Sequence, residues 1–221
     1  MRKYILLVIL IYIGVHRSST LAQDYTDQQK ILCISQIWKD ASANFHLPEH
    51  LKVINWDSLY VDYLRQSLKT TSDAEYYLVL RRFIGELNDG HSDIRYDNFL
   101  MGGKYLNVDF LPFEIEYLDG GYYFLSVEKS AATQIPLGSR IIAMNGMPAQ
   151  EYMDKHVIPY VSGGTLQDRI KKALVYLSMS DTPDTPLRLE IETPGGETGN
   201  YLLKYNARQE KLGKEDILTV R

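Results

Sequence analysis

Residues 80–95 read LRRFIGELNDGHSDIR. The first part is the end of an amphipathic helix. Tyr76, Leu80, Phe83, Ile84 and Leu87 recur at three- and four-residue steps and so share one helical face. Ser72 and Glu75 form a capping box at its start. Asn88-Asp89-Gly90 stops it, and Gly90 is free to take the left-handed conformation that ends many helices. His91 follows at once. The helical pattern does not resume soon after, so this stretch is a border between two kinds of chain.

Upstream the chain is helical. Thr26 and Gln29 make a capping box, and Ile31, Ile34, Trp38, Ala41 and Phe45 line one face of a helix over 26–45. A second helix is expected over 57–68, with Leu59, Tyr60, Tyr63 and Leu64 inward. Three amphipathic helices in a row make residues 23–95 an N-terminal helical bundle. Cys33 is the only cysteine, so it forms no internal disulfide; it falls in the apolar pattern and reads as a small buried hydrophobe. Between the first two helices, HLPEH (46–50) has the letters of an H-x-x-E-H zinc site. That chemistry needs both histidines on one helical face. Pro48 sits between them and cannot lie inside the helix, so the stretch reads as a polar loop and no metal is expected.

Downstream the pattern changes. Residues 96–107, with Gly102-Gly103, read as a linker. LPFEIEYL and YYFLSV flank Asp119-Gly120-Gly121, a hairpin signal. Ile141–Met144 is a short buried strand closed by Asn145-Gly146, and Pro148 opens a short helix to about His156. Thr165 caps a helix with Ile170, Leu174 and Leu177 on one face, and LRLEIET and YLLKY close the pattern across Pro194-Gly195-Gly196. The fold class is therefore α+β: the helical bundle, then a β-rich module with helical insertions over 108–206, then a polar tail or linker over 207–221 with no evident partner in the chain.

The first residues, MRKYILLVILIYIGVHRSSTLAQ, place Arg2 and Lys3 before an apolar run from Tyr4 to Val15. This is the layout of a secretory signal peptide (1–22), cleaved after Ala22. The run is shorter than the ~20 residues of a spanning helix. The expected product is exported, periplasmic or extracellular, with no stable membrane span after signal removal. A net charge of -4 and the lack of a basic run argue against nucleic acid.

A histidine acts as general base only with a nucleophile in reach and a group to orient its ring. No serine here lies in a G-x-S-x-G elbow. Ser92 is adjacent in sequence, which is poor geometry, and Ser139 and Ser162 read as turn serines. No complete triad can be assembled from the residues alone.

Taken in order, LRRFIGELNDGHSDIR, LPFEIEYLDGGYYFLSV and IPLGSRIIAMNGMPAQEY resemble the C-terminal-processing (tail-specific) and tricorn-like serine peptidases, over residues 26–205. In that family a helical region ends in a D-G-H-[ST]-like segment. A PDZ-like domain follows, marked by I-x-x-G-x-x-I-x-x-x-N-G, here Ile135 to Gly146. An α/β catalytic domain with the nucleophilic serine comes last. The resemblance implies that 108–206 is PDZ-like and that His91 matches the histidine tricorn-like members use as general base; processing-type members use a lysine of the catalytic domain. The family's α/β catalytic domain, with its serine and acidic partner, has no counterpart in these residues, so the chain alone is expected to be inactive. A PDZ carboxylate loop would fall at Leu111-Pro112-Phe113, which departs from the usual Gly-rich loop and where Pro112 offers no N–H. The expected function is the regulatory, substrate-binding part of an exported serine endopeptidase that hydrolyses polypeptides. The rival is a stand-alone, non-catalytic exported protein that binds peptides in a PDZ-like groove. The partner is a polypeptide substrate or peptide ligand, and no metal or organic cofactor is implied.

Overall fold

A computed structural model of the chain describes residues 25–94, 109–128, 135–180, 186–207 and 217–219. The expected signal peptide, the 96–107 linker and residues 208–216 of the expected tail lie outside the described residues.

Four helices come first. α1 (Asp27–Asn44) opens as its sequence dictates: the Thr26 hydroxyl accepts from the Gln29 amide, and the Gln29 side chain accepts from the Thr26 amide at 2.9 Å. α2 (Pro48–Val53) occupies the stretch expected to be a polar loop. Pro48 stands at its first position, where a missing N–H costs nothing, so His46 precedes the helix and the two histidines of HLPEH share no helical face. α3 (Trp56–Ser67) and α4 (Asp73–Gly85) complete this half. At α4 the Ser72 hydroxyl caps the Glu75 amide, but the Glu75 carboxylate turns to the amide of Thr71 at 2.7 Å and to its hydroxyl at 3.0 Å. The expected box is thus half formed, because Thr71 offers that carboxylate two donors.

The apolar stripes meet in one core. Ile34, Trp56, Tyr63, Tyr76, Leu80, Phe83 and Leu87 are buried there, with Cys33 packed at its edge. The Trp56 and Phe83 rings stack with centroids 4.2 Å apart. Lys30 is buried too, and its ammonium is satisfied by the Thr70 carbonyl at 3.0 Å.

The rest is antiparallel sheet with two helices. A central sheet runs β10-β3-β4-β7-β8, with β2 beside β3 and β5 beside β4. Its strands are β2 (Phe113–Leu118), β3 (Gly121–Glu128), β4 (Arg140–Met144), β5 (Met147–Pro148), β7 (Leu187–Glu192), β8 (Thr198–Leu203) and β10 (Ile217–Thr219). A small sheet joins β1 (Asp109–Phe110) to β6 (Met179–Ser180) and β9 (Asn206–Ala207). α5 (Ala149–His156) packs on β4, and α6 (Leu166–Leu177) packs on β2. Phe113, Ile115, Phe124, Ile141, Leu189 and Ile191 form a second core, closed by Ile170, Ala173 and Leu174 of α6. The chain is therefore α+β.

The stretch 207–221, read as a tail without a partner, supplies strand pairing at both ends. Asn206–Ala207 pairs with β1, and Ile217–Thr219 runs against Glu128, Val127 and Ser126 of β3. β4 pairs only with Tyr122 and Tyr123 of β3, which leaves the second half of that edge open to β10. Three apolar-to-neutral residues among charges are too short for a periodic signal.

The two cores meet at a polar seam. A Cβ on Gly85 would lie 2.9 Å from the Pro159 carbonyl oxygen, so only glycine lets the end of α4 approach that turn. Beside it the Arg81 guanidinium donates to the Tyr160 carbonyl at 2.9 Å and lies 4.2 Å from the Tyr176 ring centroid.

Candidate functional site

The histidine turn leaves α4 through Asn88, which takes the left-handed conformation at φ 49°. The sequence reading gave that role to Gly90, which does not adopt a positive φ. Asparagine tolerates this region better than most residues. Gly90 instead allows a close approach: a Cβ there would lie 3.1 Å from the Asp168 carboxylate of α6, which would have to shift slightly.

Asp89 is the centre of the turn. One carboxylate oxygen accepts the Ser92 hydroxyl at 2.7 Å and the His91 amide at 3.1 Å. Burial works against its charge, but the Ser92 hydroxyl, the His91 and Ser92 amides and the nearby His46 outweigh it. The carboxyl is held below the ordinary aspartate value. The other oxygen faces Nδ1 of His91 at 3.9 Å, beyond hydrogen-bond length. The His91 side chain is fully exposed, whereas that of Asp89 is 11% exposed. A buried carboxylate therefore stands behind a projecting imidazole.

The sheet half holds this turn. The Asp89 amide donates to the Ser162 hydroxyl at 2.9 Å. Arg169 of α6 donates to the Asn88 side-chain oxygen at 2.7 Å and to the Val161 carbonyl at 3.1 Å. Burial pulls its guanidinium below the usual arginine value, and Glu86 partly offsets this. Lys172 donates to the Gly90 carbonyl at 2.6 Å and pairs with Asp168 at 3.2 Å. Asp168 in turn accepts from the Gly164 amide at 3.1 Å. Gly163 fits only as glycine, since a Cβ would lie 2.7 Å from the Arg169 backbone. Nothing in the sequence marks Asp89, Ser162, Arg169 and Lys172 as parts of one site. The spacing Asp89-x-x-Ser92 resembles a helix cap and was the one local signal available; the other contacts come from residues far along the chain.

The remaining candidates lie elsewhere. Leu111, Pro112 and Phe113 are buried in the sheet core, and the Leu111 amide already donates to the Ser178 carbonyl. The segment closes the core instead of forming an accessible carboxylate loop, because its apolar side chains pack under α6. Ser139 is a fully buried turn serine bonded to the Pro136 carbonyl. Ser92 is committed to Asp89. Among the described residues no serine hydroxyl is hydrogen-bonded to the His91 ring. A surface cleft of about 340 Å³ between α3, α4 and the Ile158–Tyr160 turn is lined by Lys69, Glu75, Arg82 and Tyr160 among others, with no serine or histidine.

No family model matches the chain, and no curated protein matches it. Solved structures do. The chain is similar to mature CPAF complexed with lactacystin, with TM-score 0.66 and 18% identity over 85% of this chain and 36% of that one. It is similar to mature CPAF with TM-score 0.65 and 18% identity over the same shares, and to a CPAF mutant with TM-score 0.63 and 17% identity over 83% and 34%. CPAF is a chlamydial serine protease with a tail-specific protease-like fold. At these identities the likeness is one of fold: the chain has a distant protease-like fold and spans 36% or less of the solved chains.

Proposed function

We propose that this chain is the helical and PDZ-like part of an exported serine peptidase acting on polypeptides, and that His91 is its general base. The observation that carries this is the histidine turn itself: a projecting imidazole backed by a buried carboxylate and fixed by α6, on a fold like that of CPAF. The serine comes from outside these 221 residues, where an α/β domain would bring its hydroxyl to Nε2 of His91. Base catalysis of this kind contributes roughly 10²–10⁴-fold. Export is proposed from Arg2, Lys3 and the apolar run to Val15. Among the described residues no helix is long and apolar enough to cross a membrane.

The test is labelling by a serine-directed fluorophosphonate. This chain alone is expected not to react. A form that carries the serine-bearing domain is expected to react, and to lose reaction on His91→Gln. Stoichiometric labelling of this chain, or unchanged labelling after His91→Gln, overturns the reading.

One observation favours a second reading, a non-catalytic peptide-binding protein. Among the described strands β2 pairs with β3 alone, and α6 packs against it. That is an arrangement to which a peptide strand can add. Titration with a peptide library decides it, and no binding at high micromolar concentration removes it.

A further inference from the structure

We infer that Asp89 is the positioning residue for His91: its carboxylate accepts a hydrogen bond from Nδ1–H and so presents Nε2, unprotonated, to an incoming hydroxyl. The inference rests on the proposed role of His91 but concerns a property of this chain alone. Resemblance to the peptidase family places the acidic partner in the catalytic domain; the geometry places a carboxylate two residues from the histidine.

Three features support it. First, the Asp89 carboxylate is pre-oriented. One oxygen is occupied by the Ser92 hydroxyl and the His91 amide, which leaves the other to face Nδ1 at 3.9 Å. Second, the carboxylate cannot swing away. Its backbone amide is tied to Ser162, the next residue's carbonyl is tied to Lys172, and its side chain is 11% exposed. Third, the ring is free to close the gap, since the His91 side chain is fully exposed. Such contacts are often long before a substrate is bound and tighten when it arrives. Neutral imidazole is a donor at one nitrogen and an acceptor at the other. A carboxylate at Nδ1 selects the Nδ1–H tautomer, the one able to take a hydroxyl proton at Nε2. During that transfer the carboxylate stays ionised and stabilises the imidazolium. The competing partner is His46, whose charge also acts on Asp89.

The experiment is ¹⁵N NMR of the histidine side chains in this chain at about pH 9, where imidazoles are neutral. Wild-type His91 is expected as the Nδ1–H tautomer. Asp89→Asn, which keeps an acceptor for Ser92 but removes the charge, is expected to shift it to Nε2–H. Ser92→Ala, which leaves the carboxylate, is expected to keep Nδ1–H. A wild-type ring already in the Nε2–H form overturns the inference without any variant. So does an Asp89→Asn shift seen at His46 in place of His91. In a form able to cleave peptides, Asp89→Asn is expected to lower kcat by on the order of 100-fold or more with KM held. A tautomer shift with no fluorophosphonate reactivity in any form would leave Asp89 as the orienting group and remove only the peptidase reading.

Discussion

Asp-Gly occurs at 89–90 and again at 119–120, and the two copies do opposite things. At Asp119-Gly120 both residues have positive φ, 48° and 81°, and an added Cβ at Gly120 would meet nothing within 4 Å. This is a two-residue hairpin turn between β2 and β3, made by the dipeptide's own conformational freedom. At Asp89-Gly90 neither residue has positive φ, and the turn is held by Ser162, Lys172 and the close approach of Asp168. A locally encoded turn needs no neighbours, whereas a docked turn exists because of them. Only the docked one places a carboxylate behind a histidine.

Substitutions at the two sites should separate these origins. The largest effect is expected from Gly163→Ala. Its Cβ would press on the Arg169 backbone at 2.7 Å, which must move and release the arginine from Asn88. Overpacking of this kind costs about 1–3 kcal/mol. It should be read as a lower urea midpoint together with faster hydrogen exchange at the Asp89 and His91 amides. Gly120→Ala comes next at about 1–2 kcal/mol, the strain of an alanine in the left-handed region. Here the midpoint should fall while exchange at Asp89 and His91 stays as in wild type, and Gly120→Asn should recover part of the loss. If Gly120→Ala also frees the histidine turn, the two turns are not independent. Lys172→Met is smaller, at most about 1 kcal/mol, because the ammonium is partly exposed; its signature is faster exchange at Gly90 and His91 with a smaller fall in midpoint.

The smallest effect follows from the lowered Asp89 carboxyl. Its stabilising contribution is present above the ordinary unfolded value of 3.8 and is lost as pH falls through the lower folded value. Protection of the His91 amide relative to its intrinsic exchange rate should therefore fall on acidification below pH 3.8, and Asp89→Asn should flatten that dependence. An unchanged acid profile in the variant would show that another group governs the turn.

Much of the architecture could be read directly. The capping residues Thr26 and Thr165 start α1 and α6, and Asp119-Gly120 and Asn145-Gly146 make the tight turns expected of them. The buried faces of α4 and α6 carry Leu80, Phe83, Ile170 and Leu174 as their spacing predicts. Two elements carry no periodic signal of their own. α2 was hidden by a proline that ends one pattern and begins another. β10 was hidden because three residues give no period, and its pairing depends on an edge that β4 leaves open. Leu111-Pro112-Phe113 leads into the strand expected of LPFEIEYL, and only the packing shows its side chains buried.

The candidate site divides in the same way. The sequence alone determined that a helix runs out before Asn88 (α4 ends at Gly85), that a histidine follows, and that strands begin beyond. These are properties of residues within a few positions of one another, where backbone preference and side-chain capping decide. Tertiary structure alone decided that Asp89 is buried behind His91 and that Ser162, Arg169 and Lys172 hold the turn. Those contacts join residues 73 to 82 positions apart. Contacts at such separation form only when the two cores fold and meet, because no local preference can bring their partners within hydrogen-bond reach.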